Sequence, residues 1–478
     1  MKKSLLWLAV VLLSMSMIAV FSLAGCKGEE AAAEEEVAEE AAAEEEVAEE
    51  EVAEEEAPAE EENIIELKFW HHEAPAHRVA AFQKIIDLFE QEYPNVKVEQ
   101  EVVMWEDAWT KTIAAVESGD GPDFQFSSPE LVITNYLLDS ILPLTDIATE
   151  LDQEYEFIGS QEQIYSYDNE LWGVNVFTMV FLLTYVPSLL EEYVGTTDPP
   201  KDWDEYLEYA EMMTDPENDV YGVALSGAVN LLTAEQVYPF MAAVNSRFFD
   251  DDGNVIFNSP ETIRALNMYK DLYQFNPPGA SSWSWGEIEL NIEAKKAGMS
   301  TYFPSVQRRF ALELDSDDYA GVDQPYPADG KPGTLTYPNE IHVYKWTKDK
   351  PGHLEATYNF IRFIMRPEIN AILTTSEPGG FYPTTKAAME APEFWNDPVV
   401  SRFEEMNKAA VNALEYATLF GFESGRWVNM GIGDIIGADV LSQVVNKIVT
   451  DEMTVEEAAA WGQTEMEKYS KPVPVLAE

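Results

Sequence analysis

The chain has 478 residues, of which 88 are acidic and 29 are basic, and its formal net charge is −59. So acidic a surface disfavours nucleic acid as a partner and disfavours charge-driven docking on anionic lipid. Hydrophobic residues make up 46% of the chain and aromatic residues 12%, which is enough for the cores of two domains.

An apolar leader opens the chain. Two lysines precede a mostly apolar stretch at residues 5–23, and small residues follow it. This order is typical of a secretory signal peptide, although the length of the stretch also fits a membrane-spanning helix. The only cysteine, Cys26, comes next and cannot form an internal disulfide. We expect a signal peptide at residues 1–25.

The residues around Cys26 resemble the lipobox of bacterial lipoproteins. The tetrapeptide LAGC at residues 23–26 carries this resemblance, which implies that Cys26 is acylated and becomes the mature N-terminus. Residues 26–63 follow as a segment of low complexity, with nineteen glutamates and two successive copies of AAAEEEVAEE. Because like charges repel along a helix, we expect an extended acidic tether with no binding role.

The region after the tether begins with a β-α-β-α-β pattern. Alternating residues predict strands at 64–70, 96–103 and 123–127, and apolar residues at helical spacing predict helices at 79–93 and 105–116. This order predicts a parallel sheet, and ligands of such sheets lie beyond the carboxyl ends of the strands. The predicted fold class is α/β.

The rest of the chain is rich in helices. Apolar periodicity and helix-start signals predict helices at 203–213, 234–243, 260–273, 354–365 and 455–469. The stretch FFDDDGNVIFNSPE indicates a turn between short strands, followed by a helix start at its Ser-Pro pair.

Seven motifs, in chain order, resemble those of the family-1 extracellular solute-binding proteins of ABC transporters, a class that includes maltodextrin-binding proteins. The most specific is FQKIIDLFEQEYPNVKVE, which is similar to the signature helix and second strand of that family. The other six are ELKFWHH, ESGDGPDFQFSS, WGVNVFTMVFLLTYVPSLLEE, PKDWDEYLEYAEMMT, EAKKAGMSTYFPS and EATYNFIRFIMRPEIN.

The resemblance implies a two-lobe periplasmic-binding-protein (Venus-flytrap) fold. Each lobe would be a mostly parallel sheet flanked by helices, and three crossing segments would join the lobes. Lobe one is expected at residues 64–144 with 299–345, and lobe two at 145–298 with 346–478. A ligand held between such lobes favours their closed arrangement, which a membrane transporter then recognises.

Candidate ligand-binding residues come from two sources. The strand ends of the first predicted sheet supply Trp70, His71, Trp105, Ser127 and Glu130. The resemblance adds aromatic positions at Trp283, Trp285, Tyr302, Phe303 and Trp427, and possible hydroxyl partners at Asn175, Asn230, Asn339 and Glu340. Core packing is the alternative role for the aromatic residues, and a surface helix start is the alternative for Glu130.

A sugar suits this composition. One face of a pyranose is apolar, and flat aromatic rings bury it while polar neighbours bond the hydroxyls. The chain has 12 Trp and 22 Tyr. The family often carries Gly-x-Trp where this chain has Phe303-Pro304-Ser305, so its stacking geometry departs from the usual one.

No metal or cofactor is expected. His72 and His77 in HHEAPAH are five residues apart with a proline between them, so they do not share a helix face as zinc ligands of a His-Glu-x-x-His motif do. The nucleotide-binding motifs and the Gly-x-Ser-x-Gly motif do not occur either.

The sequence therefore predicts a solute-binding protein rather than an enzyme. We expect a monomer, lipid-anchored on the extracytoplasmic face of a membrane, that binds a sugar or oligosaccharide and delivers it to an ABC permease. Glycerol phosphate, a polyamine or iron are alternative ligands. A surface glycosidase is an alternative of another class, because such an enzyme needs two carboxyl groups that face each other, and Asp and Glu are abundant in this chain. A structural lipoprotein without a ligand is a third.

Overall fold

A computed structural model describes residues 64–158, 164–423 and 429–471. Its helices and strands, in chain order, are β1 (Ile65–His71), α1 (Ala76–Glu92), β2 (Val96–Val102), α2 (Ala108–Ser118), β3 (Phe124–Ser127), α3 (Pro129–Leu137), α4 (Thr145–Tyr155), β4 (Ser166–Tyr167), β5 (Glu170–Leu171), β6 (Val174–Val180), β7 (Leu182–Tyr185), α5 (Pro187–Tyr193), α6 (Trp203–Met213), β8 (Tyr221–Val223), α7 (Leu231–Ala243), α8 (Pro260–Tyr273), α9 (Trp285–Glu293), β9 (Ala297–Tyr302), α10 (Gln307–Leu312), β10 (Ala320–Val322), β11 (Thr336–Val343), α11 (His353–Ile364), α12 (Pro367–Thr374), β12 (Tyr382–Pro383), α13 (Lys386–Met389), α14 (Pro392–Trp395), α15 (Pro398–Arg402), α16 (Glu404–Ala413), α17 (Ile432–Gly437), α18 (Val440–Val449) and α19 (Val455–Tyr469).

The larger sheet has six strands in the order β12-β6-β11-β3-β1-β2. Strand β1 pairs in parallel with β2 and β3, which confirms the predicted parallel β-α-β-α-β unit. Strands β11 and β12 pair antiparallel with their neighbours. The carboxyl ends of β1 and β3 therefore lie together at one edge of this sheet.

Alternation in β1 explains how this sheet is packed. Leu67 and Phe69 point to the same face and are fully buried, because residues two apart in a strand share a face. Phe69 stacks on Phe124 of β3 at a centroid distance of 4.7 Å, and Phe360 of α11 lies against both rings. This aromatic core fixes the strand ends that carry candidate site residues.

The second sheet has four strands in the order β10-β7-β9-β8. Strand β7 pairs antiparallel with β9 and β10, and β8 pairs in parallel with β9. The chain passes from the first sheet to the second through Phe181, the single residue between β6 and β7, and returns between β10 and β11.

Most predicted elements are confirmed. The helices predicted at 203–213, 260–273 and 455–469 are found with those bounds. Helix α7 begins before the predicted residue 234, because the Asn230 side chain accepts a hydrogen bond from the Thr233 N–H and so caps the helix.

One expectation about the sheets needs correction. Both sheets are mixed rather than mostly parallel, since the crossing strands β6, β7 and β11 pair antiparallel. The predicted lobe limits stay a prediction, and the strands are distributed between the sheets as follows. Residues 174–180 belong to the six-stranded sheet and 297–302 to the four-stranded sheet, while α11 packs against β1.

The leader, the tether and Cys26 lie outside the described residues. Within the described ranges, none of the helices combines enough length with enough apolar character to cross a bilayer.

Candidate functional site

A buried carboxyl group lies beyond the end of β3. Glu130 is the second residue of α3 and is fully buried. Its Oε2 accepts a hydrogen bond from the Tyr337 hydroxyl of β11 at 2.9 Å. Its other oxygen, Oε1, is buried and has no hydrogen-bond donor among the described residues, and nearby Ser128 Oγ makes no hydrogen bond of normal geometry.

A second buried carboxyl group lies on the side of the four-stranded sheet. Glu235 lies on α7 and is 3% exposed. Its Oε2 accepts a hydrogen bond from Trp285 Nε1 of α9 at 3.2 Å. The charge of Glu130 acts on Glu235, and the charge of Glu235 acts on two tyrosines, Tyr302 and Tyr337, so these four side chains and Trp285 share one region. We call them the central cluster: Glu130, Glu235, Trp285, Tyr302 and Tyr337.

Burial makes both carboxyl groups weak acids. Loss of solvation raises the pKa of Glu235 to about 8, against the opposing effect of the Trp285 hydrogen bond. Loss of solvation likewise raises the pKa of Glu130, and the hydrogen bond from Tyr337 opposes it. Carboxyl groups with shifted pKa values that lie among aromatic residues mark a candidate functional site.

Tyr302 extends the cluster along β9. Its hydroxyl donates to Glu289 Oε1 at 3.1 Å, and its ring stacks on Phe303 at a centroid distance of 4.2 Å. Both rings lie near Phe181, the residue at which the chain passes between the sheets. The cluster therefore lies at the junction of the two sheets.

An ion-pair group lies beside this junction: Glu73, His77, Arg78 and Glu377. Arg78 bonds Glu73 at 2.6 Å and Glu377 at 2.8 Å, and His77 lies 2.6 Å from the same Glu377 oxygen. The following turn at Gly379 has φ of 78°, and a Cβ there would meet Pro304 O at 2.4 Å. The group thus joins the segment after β1 to the segments after α12 and β9.

A polar network continues behind the end of β3. His72 Nδ1 lies 2.7 Å from the Val103 carbonyl, so Nδ1 carries the proton and Nε2 accepts from Ser127 Oγ at 3.2 Å. The Trp105 ring lies over His72 at a centroid distance of 4.2 Å. Burial lowers the pKa of His72 to about 4, so the ring is neutral at neutral pH. Trp105 is only half-buried and offers a flat face next to Ser127.

The structure brings some predicted site residues together and separates others. Glu130, Trp285 and Tyr302 belong to the central cluster, Phe303 stacks on it, and Ser127 and Trp105 lie at the adjacent strand ends. His71 instead stacks on Phe82 in the core, and Trp70 Nε1 donates to exposed Glu101.

The remaining predicted residues have structural contacts. Asn230 caps α7 and donates to the Trp283 carbonyl at 2.9 Å, while Trp283 is buried. Asn339 donates to the Tyr337 carbonyl, and the Asn175 carbonyl accepts from Thr384. Glu340 is fully buried and contacts His342. Trp427 lies outside the described residues.

Metal ligation has no support in the described part of the chain. No three His, Cys, Asp or Glu side chains are grouped there so that they could hold an ion. His72 and His77 of the HHEAPAH motif have separate partners, Ser127 for His72 and Glu377 for His77.

Comparison with known proteins identifies the family. A family described as bacterial extracellular solute-binding protein matches residues 84–401. The chain belongs to this family. A putative ABC transporter periplasmic-binding protein of Escherichia coli, YcjN, is 24% identical to this solute-binding protein over 417 residues, covering 84% of this chain and 92% of the relative. The maltotriose-binding protein of Pyrococcus abyssi is 22% identical over 342 residues, 70% of each chain.

Solved structures confirm the two-lobe fold of the solute-binding protein. An ABC transporter solute-binding protein from Thermotoga lettingae, bound with α-D-tagatose, has a TM-score of 0.71 and 21% identity, covering 85% of this chain and 99% of that one. One from Agrobacterium radiobacter, in complex with ribitol, has a TM-score of 0.69 and 20% identity, covering 84% and 98%.

Sequence reasoning missed several residues of this region in the solute-binding protein. Glu235 had one detectable signal, since it is the only acidic residue of the helix LLTAEQVYPFMAA, most of which is buried. Tyr337 lies two residues before Asn339, and Arg78 and Glu377 are 299 residues apart, so no local pattern indicates their contacts.

Proposed function

We propose that this chain is the lipid-anchored, extracytoplasmic binding component of an ABC importer. It binds a sugar or oligosaccharide between its two lobes and delivers the ligand to the membrane permease. It acts as a monomer without a cofactor, and the lipid on Cys26 holds it at the membrane. Binding, rather than catalysis, is what the family is named for.

The central cluster carries this proposal. Glu130 and Tyr337 extend from α3 and β11 beside the six-stranded sheet, while Glu235 and Trp285 extend from helices beside the four-stranded sheet. A ligand that contacts both sides binds the closed arrangement of the lobes more tightly than the open one. Such differential affinity shifts the equilibrium between the open and closed forms, and the permease then recognises the closed form.

The chemistry of the cluster suits a polyhydroxylated ligand. Carboxyl groups and tyrosine hydroxyls pair with sugar hydroxyls, and the half-buried rings of Trp105 and Trp285 can cover the apolar face of a pyranose. Tagatose and ribitol, which the two solved relatives hold, are of this class. Glycerol phosphate suits this site less well, because phosphate is ordinarily bound by cationic side chains and the central cluster contains none.

Strand membership suggests revised lobe limits as part of the proposal. Lobe one comprises residues 64–180 and 336–383, which hold the strands of the six-stranded sheet. Lobe two comprises residues 182–322 and the chain after 390. The ligand site lies between them, next to the passage at Phe181.

A ligand screen tests which class of ligand the protein binds. A thermal-shift screen over saccharides, polyols, glycerol phosphate and spermidine should give the largest rise in melting temperature with a saccharide, since a ligand bound to the native state alone stabilises it.

Substitution of either tryptophan tests the ligand site. Trp105→Ala and Trp285→Ala should each weaken the binding of that saccharide by about tenfold or more in calorimetry, because each removes buried apolar area. Trp461→Ala, on α19 beside Lys447, is the control and should bind normally. No saccharide response, or release of nitrophenol from a chromogenic glycoside, would contradict the proposal.

Replacement of the cysteine tests the anchor. Cys26→Ser should move the protein from the membrane fraction to the soluble fraction of expressing bacteria and abolish incorporation of labelled palmitate. The variant lacks the thiol that carries the acyl chains, and stable attachment needs more than one such chain. Saccharide binding should be unchanged. Membrane retention of the Cys26→Ser protein would favour an uncleaved membrane-spanning leader instead.

A further inference from the structure

His72 lies directly against the ring of Trp105, one of the two tryptophans of the proposed ligand site. His72 is 2% exposed, and the two ring centroids are 4.2 Å apart at an interplanar angle of 31°. In the described part of the chain no other aromatic ring lies against Trp105, whereas a core ring such as Phe69 lies against four others. His72 therefore covers one face of the half-buried indole and leaves the other face for a ligand.

His72 also holds the backbone that precedes Trp105. Its Nδ1 donates to the Val103 carbonyl at 2.7 Å, and the Val103 N–H donates to the His71 carbonyl at 2.8 Å. These two hydrogen bonds join the end of β1 to the residue two positions before Trp105. The single 3-10 turn that carries the indole, Trp105–Asp107, begins immediately afterwards. Both the ring and the backbone of Trp105 are thus positioned through one buried side chain.

The orientation of His72 is in turn fixed by buried polar neighbours. Because Nδ1 donates, Nε2 accepts, and it lies 3.2 Å from Ser127 Oγ and 3.1 Å from Gln125 Nε2. The Gln125 amide is oriented by its oxygen, which accepts from the Tyr344 hydroxyl at 2.5 Å. A buried network whose members are hydrogen-bonded on both sides is rigid, so His72 presents its ring to Trp105 in one position.

A fixed aromatic face distinguishes among polyhydroxylated ligands. A sugar ring has an apolar face that a flat side chain buries in a single pose. An open-chain polyol has no such face and loses more conformational freedom when it binds. A tryptophan that is already held in place before binding loses little freedom itself, which favours the rigid ring further.

We propose that His72 is a positioning residue of the ligand site, which holds Trp105 as a fixed face and so makes the site select ring-form sugars over open-chain polyols. This inference rests on the proposed function, because it concerns the specificity of the same site. His72 acts through Trp105 and does not itself contact the ligand.

Matched ligands test the preference in the wild-type protein without any substitution. Calorimetry compares the ring sugars D-glucose, D-galactose, D-tagatose and maltotriose with the open-chain polyols D-glucitol, galactitol and ribitol. The sugar that binds best should bind at least about tenfold more tightly than any of the polyols, because only the sugar has a face for the indole.

Two substitutions of His72 separate its ring from its hydrogen bonds. His72→Gln keeps an acceptor for Ser127 and Gln125 but removes the ring, so it should weaken the best sugar by about tenfold and the polyols by less than about threefold. His72→Phe keeps a flat ring beneath Trp105 but leaves buried donors without an acceptor. It should therefore lower the melting temperature while the affinity for the sugar stays within about threefold of wild type.

A double-mutant cycle tests whether His72 acts through Trp105. In the Trp105→Ala background, His72→Gln should cause no further loss of affinity, because the face that it positions is already absent. His353→Gln is the matched control, since His353 contacts Asp123 just before β3, at the end of that strand opposite Ser127. It should leave the affinities for sugar and polyol unchanged. Circular dichroism verifies that each variant is folded.

The outcomes separate this inference from the proposed function. A polyol that binds as tightly as the best sugar overturns the selectivity and leaves a saccharide-binding protein in place. A loss of affinity in His72→Phe as large as in His72→Gln, or losses that add in the cycle, shows that His72 has only a structural role. Failure of the wild-type protein to bind any of the four sugars contradicts the proposed function itself.

Discussion

Replacing Arg78 with methionine is expected to lower the free energy of unfolding by about 3–5 kcal/mol, the usual cost of removing one partner from a buried ion pair. The side chains of Glu73 and Glu377 are 6% and 8% exposed, and Arg78 holds both. Without the guanidinium, two carboxylates stay buried and lose the opposite charge that both of them contact. The Arg78 side chain also lies over the Phe381 ring at 4.8 Å, and methionine retains only the packing part of that contact.

The pH dependence gives this prediction a second readout. Burial alone would raise the pKa of Glu377, but hydrogen bonds from His77 and Arg78 and the charge of Arg78 lower it below its ordinary value. A group with a lowered pKa contributes stability above its unfolded pKa, and that contribution is lost as the pH falls through the folded pKa. The difference in stability between wild type and the Arg78→Met variant should therefore shrink as the pH falls toward about 4, where the carboxyl groups begin to take up protons.

An exposed pair provides the control. Arg362→Met breaks the contact between Arg362 and Glu150, whose side chains are 37% and 48% exposed. Exposed pairs contribute roughly 0–1 kcal/mol, so this variant should remain close to wild type in urea unfolding. A cost for Arg78→Met no larger than that for Arg362→Met would show that the ion-pair group does not hold the strand-end segments together.

The sequence was a good guide where one physical signal acts locally. Helix α8 was predicted with its observed bounds because Ser259 caps it and Pro260 occupies its first position, both of which are readable from the residues alone. Strand β1 was predicted from alternation, and its parallel partners followed from the intervening helices. The family resemblance supplied the two-lobe fold, which no single stretch encodes.

The sheet to which each crossing strand belongs could not be predicted, for a physical reason. Strand β6, VNVFTMV, carries apolar residues on both of its faces, so its pattern does not say which sheet it joins. Only the pairing of β6 with β11 and β12 assigns it to the larger sheet. The antiparallel pairing of β11 likewise depends on contacts with residues more than 150 positions away.

Some residues of the candidate site could also be predicted from the sequence, and others could not. Glu130 and Trp105 were predicted because they follow strands, and strand ends are positions at which topology is informative. His71 is the last residue of β1, yet its ring stacks on Phe82, while the next residue, His72, contacts Ser127. Successive residues of a strand point to opposite faces of the sheet, so a shift of one residue exchanges the two faces. Periodicity in the sequence does not fix the register at the last residue of a strand.

A large pH effect on stability is expected from Glu340. Its side chain on β11 is fully buried, and Oε1 lies 2.9 Å from His342 Nδ1. Burial raises the pKa of Glu340 to about 8 and lowers that of His342 to about 3, so both groups are neutral near pH 7. The Asn135 amide donates to His342 Nε2, which leaves the imidazole proton on Nδ1 and directs it toward Glu340.

The sign of the effect follows from linkage. A carboxyl group whose folded pKa is raised binds its proton more tightly in the folded state than in the unfolded state. Its contribution to stability is complete below the unfolded pKa of 4.5 and is lost as the pH rises toward the folded value of about 8. Across that range, Glu340 should reduce the free energy of unfolding by up to about 1.4 kcal/mol per pH unit.

Glu340→Gln should remove this slope and make the protein more stable than wild type by several kcal/mol at pH 8.5. Glutamine keeps an oxygen that accepts from His342 and never ionises, so the two proteins should be about equally stable near pH 5. Urea unfolding at half-unit intervals from pH 5 to 9 measures the difference, with Glu66→Gln, at an exposed position on β1, as the control. Parallel curves for wild type and the Glu340→Gln variant would mean that Glu340 ionises in the folded protein as readily as in the unfolded chain, which its burial beside a neutral histidine argues against.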